Sequence, residues 1–201
     1  KALISQIKKI SHSTLLGLSN VPSIRLASML VERAPSGLVR VFYSDNGSTG
    51  IEIAVKIGFQ FWQQHPGGHK GKTKFISLVN AYHGDTIGSV SLGGIDLFHS
   101  LYKPLLFNAL KVSSPYCYRC HLDLNYPSCF MACLDGIEQI MKKHSDETAA
   151  FVIEPLVQAA AGMIVSPPGF LKKVRDLCTR YNILMIADEV ATGFGRTGEF
   201  F

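Results

Sequence analysis

The run Leu184-Met185-Ile186-Ala187 is apolar and delivers a carboxylate, Asp188, into a turn rich in glycine that continues through Glu189, Val190, Ala191 and Thr192 to Gly198. An acid at the carboxyl end of a buried strand stands where open α/β sheets put ligand-directed charge, and it needs a positive or hydrogen-bonding partner to offset its desolvation. A second segment, Ser44-Asp45-Asn46-Gly47-Ser48-Thr49-Gly50, lies between a β-rich run and a helical pattern. At such a junction backbone N–H groups and the positive end of the helix converge on an anion. Gly47 permits close approach and Ser48 adds a hydroxyl, although the segment has neither the Gly-Lys-Ser/Thr ending of a Walker loop nor the spaced glycines of a dinucleotide fold. An ordinary capped helix is the alternative there.

A third segment, Ala81-Tyr82-His83-Gly84-Asp85-Thr86, follows an apolar strand at the same rim. Tyr82 offers a ring to lay on a flat ligand. His83 offers a base, but nothing in the sequence supplies the group that would orient it, and a structural turn is the alternative. A phosphate cradle, an aromatic ring and a buried acid on one rim together fit a heteroaromatic phosphate. Pyridoxal phosphate meets that description, with Asp188 facing a protonated ring nitrogen.

The cysteines raise a separate chemistry. Cys117-x2-Cys120-x8-Cys129-x3-Cys133 puts four thiols in one irregular loop, with His121 as a substitute ligand, and such a set could surround a tetrahedral zinc. A reduced loop with incidental thiols is the favoured reading, so a structural zinc is carried only as the alternative. Cys178 falls at core spacing on a helix and reads as packing.

These residues need a scaffold. Leu38–Tyr43 reads as a short strand, followed by a helix from Ser48 whose apolar positions Ile51, Ala54, Val55, Gly58, Phe61 and Trp62 recur at helical spacing. Residues 63–74, with Pro66, Gly67, Gly68 and Gly71, form a loop into a strand at Phe75–Val79, and Asp85 is expected to cap the next helix. Residues 104–130 read as a long irregular excursion. Beyond it come a helix near Leu134–Lys143, a buried strand at Ala150–Glu154, a helix from Pro168 to Tyr181 with the proline at its start, and a strand at Ile183–Ala187. Strands alternating with amphipathic helices predict an α/β fold, a mostly parallel sheet flanked by helices on both faces. Residues 1–34 are expected to form an N-terminal helical edge segment, with Ser23–Arg33 its surest helix, and residues 35–201 the larger domain.

At 201 residues and 47% hydrophobic content the chain can bury a sizeable core. The net charge of +5 comes from scattered residues, among them Lys8, Lys9, Lys70, Lys72, Lys74, Lys142, Lys143, Lys172 and Lys173. They read as a solvated surface, so neither nucleic acid nor a membrane is expected as a partner. No apolar run reaches the roughly 20 residues that span a bilayer, and no secretory pattern opens the chain, which makes the cytoplasm the default. Five cysteines, an odd number, argue against a fully paired disulfide framework. Lys1 at the start and Phe200-Phe201 at the end suggest a fragment of a longer chain, incomplete at both ends.

Four segments in order carry a specific resemblance: Ser44–Glu52 (SDNGSTGIE), Tyr82–Thr86 (YHGDT), Glu154–Met163 (EPLVQAAAGM) and Asp188–Gly198 (DEVATGFGRTG). They are similar to the ordered motifs of the class III, fold type I, pyridoxal-phosphate aminotransferases. The resemblance implies that the chain is a partial large domain of such an enzyme, a homodimer moving an amino group from a small-molecule donor to a keto acceptor. It implies that Gly47 and Ser48 hold the cofactor phosphate, that Tyr82 stacks near ring and substrate, and that Asp188 pairs with the pyridine nitrogen. Val190 would pack on the other ring face, and Glu154 would orient groups around the site. The family's Schiff-base lysine lies some tens of residues beyond the Asp-Glu-Val motif, and no lysine follows Asp188 here. The resemblance therefore implies no catalytic lysine in this chain and no C-terminal small domain. That leaves a second reading, a non-catalytic remnant or cofactor-binding fragment.

Overall fold

A computed structural model describes all 201 residues, Lys1–Phe201. The chain divides into two compact units, residues 1–43 with Phe201, and residues 44–200. The first contains helices α1 (Ala2–Ile7) and α2 (Val21–Arg33). Asn20 caps α2 by accepting from the Ser23 amide at 3.0 Å, and a proline in the first turn loses no hydrogen bond there. The expected strand at Leu38–Tyr43 is not formed. Its β-branched and aromatic residues give it the propensity, but a strand exists only when a neighbour completes its hydrogen bonds, and none in this chain does.

The second unit is built on a sheet of β1 (Lys74–Leu78), β2 (Leu110–Val112), β3 (Thr148–Ile153) and β6 (Leu184–Ala187) in the order β2-β1-β3-β6, every pair parallel. Register pairs Ile76 with Leu110 and Phe151, and Val152 with Ile186. Side chains alternate across the strands. Ile76, Leu78, Phe151 and Ile153 face one core with helices α6 (Cys133–His144) and α7 (Phe170–Arg180), whereas Phe75, Ala150 and Val152 face another with α3 (Gly47–Gln64) and α4 (Ile87–Leu92). Every residue of β3 is buried, as a central parallel strand requires. A side chain as fully enclosed as Phe151 stabilises the fold by about 1.5–3 kcal/mol. A helical turn α5 (Asp96–His99) and a small antiparallel hairpin, β4 (Val157–Gln158) with β5 (Ile164–Val165), complete the unit.

The parallel sheet flanked by helices is the predicted fold, with local differences. The excursion at 104–130 contains β2, a three-residue edge strand too short to show a period. Thr86, not Asp85, occupies the N-cap position of α4, and Asp85 instead accepts a hydrogen bond from the Tyr82 hydroxyl. Helix α7 begins after Gly169, whose φ of 82° turns the chain into it, so Pro168 precedes the helix.

Lys72 is not a surface charge. It is 2% exposed, lies 4.5 Å from the Trp62 ring centroid, and donates to the carbonyls of Ser145 (2.6 Å), Asn182 (2.8 Å) and Thr148 (3.2 Å). It thereby ties together the amino ends of β1, β3 and β6. Burial lowers its pKa below the usual lysine value, while Asp146 opposes that shift. No helix is long and apolar enough to cross a membrane.

Candidate cofactor site

Parallel strands put their carboxyl ends on one rim, and each strand of the central trio exits there into a segment singled out in the sequence. β1 leads to the Tyr82 turn, β3 to Glu154 and β6 to Asp188. Helix α3 starts at the same place. Asn46 caps it in a reciprocal box, its Oδ1 accepting from the Thr49 amide at 3.0 Å while Thr49 Oγ1 accepts from the Asn46 amide at 3.4 Å. Capping leaves Gly47 and Ser48 at the positive helix end, where the first amides have no intrahelical acceptor. Both residues line a cavity of about 410 Å³ together with Tyr82, His83, Glu154, Ala159, Asp188 and Val190. The structure thus gathers Gly47, Ser48, Tyr82, Glu154, Asp188 and Val190 around one space of the size that holds a small cofactor.

The acid has a partner that the sequence did not reveal. His83 Nδ1 lies 2.7 Å from Asp188 Oδ2, with His83 2% and Asp188 6% exposed. Asp188 Oδ1 accepts from the Val190 amide at 3.1 Å. Two acceptor oxygens offer about four lone-pair sites, so Asp188 retains capacity to accept from a protonated ring nitrogen in the cavity. The missing orienting partner of His83 is therefore Asp188 itself, 105 positions away. No local signal could have paired them, because the meeting is made by strand order.

Glu154 bridges two walls. Its Oε1 accepts from the Tyr82 amide and its Oε2 from the Ala159 amide, both at 3.0 Å, so one carboxylate joins the turn after β1 to the turn between β4 and β5. Burial pushes its carboxyl above the ordinary value, and the two amides and nearby His83 hold it down in part. The Tyr82 hydroxyl donates to Asp85 Oδ2 at 2.8 Å, a bond that raises the phenol pKa, with burial adding to the effect.

Two glycines allow this approach, and sequence reading identified only one. A Cβ on Gly47 would lie 2.8 Å from Val190 Cγ2. A Cβ on Gly84, which has φ +117°, would lie 2.0 Å from Ser48 Oγ. Gly84 therefore lets the Tyr82 turn rest on the first turn of α3, where the Asp85 amide donates to Ser48 Oγ at 3.2 Å. Val190 is 73% exposed and flanks Gly47 at the cavity wall.

The cysteine loop is separate. Cys117, Cys120, Cys129, Cys133 and His121 line a small void, but every thiol is free and no three metal-binding side chains are placed to hold an ion. Burial pushes Cys133 up to about 11 and also raises Cys117, in each case with the neighbouring thiols adding to it. The four-cysteine zinc set, carried only as the alternative to a reduced loop, gains no support from this arrangement. Cys178 is buried in the core, as expected.

A family model described as aminotransferase class-III matches residues 1–201. The chain is 57% identical over its whole length to the adenosylmethionine-8-amino-7-oxononanoate aminotransferase of Geobacter sulfurreducens, covering 44% of that protein. A crystal structure of the enzyme of the same name from Methanocaldococcus jannaschii superposes with a TM-score of 0.89 at 43% identity, over all of this chain and 42% of the other. An amine transaminase from an uncultivated Pseudomonas species, solved in its PLP-bound form, superposes with a TM-score of 0.85 at 34% identity, over 97% of this chain and 44% of the other. The chain spans less than half the length of these proteins.

Proposed function

This chain belongs to the class-III aminotransferases, and from that premise we propose that the protein containing it transfers an amino group to 8-amino-7-oxononanoate, giving 7,8-diaminononanoate in biotin biosynthesis. S-Adenosylmethionine is the proposed donor, with lysine as the competing one, pyridoxal phosphate the proposed cofactor, and a homodimer the proposed assembly. The names of the similar proteins support acceptor and donor. The arrangement of this chain's own residues supports the cofactor.

The observation that carries the reading is the buried Asp188–His83 pair on the wall of a cavity that also takes in the positive end of α3. An anion such as a phosphate is favoured at Gly47 and Ser48 by the helix end and the Ser48 hydroxyl. His83, donating from Nδ1, holds the Asp188 carboxylate in place, and Asp188 in turn keeps a ring nitrogen protonated. When bound, pyridoxal phosphate supplies an electron sink for the carbanion left as the substrate α-proton departs. Tyr82 and Val190, both on the cavity wall, would flank the ring, and Glu154 fixes the spacing between the Tyr82 turn and the Ala159 turn. None of the lysines of these 201 residues lines the cavity.

The test is amino transfer from S-adenosylmethionine to 8-amino-7-oxononanoate by the full-length protein with pyridoxal phosphate, in wild type and Asp188→Asn. The neutral amide cannot hold the ring nitrogen protonated. The variant is expected to keep the cofactor while losing at least about 100-fold in kcat, the scale of removing one preorganised electrostatic group. A wild-type protein with no visible cofactor band, or an Asp188→Asn variant as active as wild type, would overturn the reading.

A further inference from the structure

Behind Tyr82 stands a residue that neither the family motifs nor the cavity wall accounts for. His99, at the end of α5, is 5% exposed, and neither of its ring nitrogens has a hydrogen-bond partner. Its ring lies 6.4 Å from that of Tyr82 at an interplanar angle of 11°, a stacked arrangement. Phe98, its neighbour, meets Tyr82 edge-on at 6.3 Å and 80°. Room for the imidazole is provided by Gly93, where a Cβ would come within 2.1 Å of His99 Cε1. Lys111 fixes that corner by donating to the Leu92 and Gly93 carbonyls, each at 2.6 Å.

Resting on the cofactor-site reading above, we infer that His99 is a positioning residue that sets the attitude of the Tyr82 ring toward the bound ligand. Tyr82 is otherwise held at two points, its amide on Glu154 and its hydroxyl on Asp85. The hydroxyl oxygen lies on the Cβ–Cγ axis and the amide belongs to the backbone, so neither bond opposes rotation of the ring about that axis. A flat group stacked behind the ring opposes it, and Phe98 closes the edge. Burial, with Lys111 adding to it, lowers the His99 pKa, so the shelf is a neutral imidazole at physiological pH. Burying a polar ring with unpartnered nitrogens is destabilising, a cost that space-filling alone does not explain when phenylalanine or leucine would fill the corner without it. Stacking on an aromatic ring is what a flat side chain contributes and an aliphatic one does not.

The experiment uses the full-length protein with pyridoxal phosphate, S-adenosylmethionine and 8-amino-7-oxononanoate, and compares His99→Ala, His99→Phe, Tyr82→Ala and the Tyr82→Ala/His99→Ala double variant. His99→Ala is expected to lower kcat/KM about tenfold, mainly through KM, because small misplacements of a contact residue weaken ligand binding steeply. The visible circular dichroism of the bound cofactor is expected to weaken in the same variant. His99→Phe, which keeps the flat shelf, is expected to restore both readouts to within about threefold of wild type. In the Tyr82→Ala background the His99 change should cost less than about twofold more, since residues that act through one another are non-additive. Multiplying losses in the double variant, or equal damage from His99→Phe and His99→Ala, would overturn the inference. If His99→Ala does not fold, His99→Leu replaces it, with the same expectations. A wild type that neither binds cofactor nor transfers an amino group would count against the functional reading, whereas an active wild type with an indifferent His99 would count against the shelf alone.

Discussion

At the scale of single residues, the site depends on places where a side chain is absent. Gly84 and Gly162 both have positive φ, +117° and +93°, but a Cβ on Gly84 collides with Ser48 whereas one on Gly162 meets nothing within 4 Å. Gly162→Ala pays only backbone strain, about 1–2 kcal/mol. Gly84→Ala pays that strain plus displacement of the first turn of α3, about 2–4 kcal/mol in all. Urea unfolding of the full-length variants should separate the two. Cofactor titration should show weaker binding for Gly84→Ala only, because Ser48 is the residue displaced. Equal cofactor affinity in both variants would mean that Gly84 serves the fold and not the site. The proposed site's acid, ring and helix start could be picked out in the sequence because each closes an apolar strand or opens a helix. The Asp188–His83 bond could not, since it arises from the order of β1, β3 and β6 in the sheet, and neither could the need for Gly84, which arises where the turn after β1 meets the first turn of α3.

At the scale of elements, apolar pattern revealed what was buried on both faces and missed what was marginal. The strand expected at Ala150–Glu154, observed at Thr148–Ile153, is legible because every position is buried, while Leu110–Val112 at the edge carries too few residues to declare itself. Leu38–Tyr43 shows the converse, propensity without a partner. Lys72 failed for a different reason: a lysine in the run Lys70-Gly71-Lys72-Thr73-Lys74 reads as solvated, and only the convergence of three strand starts supplies the carbonyls that bury it. Because those strand starts lie at the end of the sheet away from Asp188, stability and chemistry should separate. Lys72→Met leaves three carbonyls without their donor and is expected to cost about 2–4 kcal/mol, read as a lower Tm, with KM for 8-amino-7-oxononanoate unchanged. A parallel loss in KM would show that the two ends of the sheet are coupled.

At the scale of the whole molecule, residues 44–200 carry more apolar surface than a small monomer tolerates. Leu97, Leu101 and Leu105 are 86%, 81% and 64% exposed along one short segment, and Ile57, Phe59 and Phe61 are also exposed on α3. Water is a poor solvent for such a face, so it is expected to be covered in the working protein, whether by further chain or by the second subunit of the proposed homodimer. Residues 1–201 expressed by themselves should therefore bind a hydrophobic dye and elute as polydisperse aggregates. Leu97→Glu with Leu101→Glu should reduce both effects, because charge at the centre of the patch opposes its burial against another copy. Size-exclusion chromatography with light scattering reads the first outcome, and dye fluorescence the second. A monodisperse monomer with a cooperative melt and no dye binding would show that this surface is at ease in water.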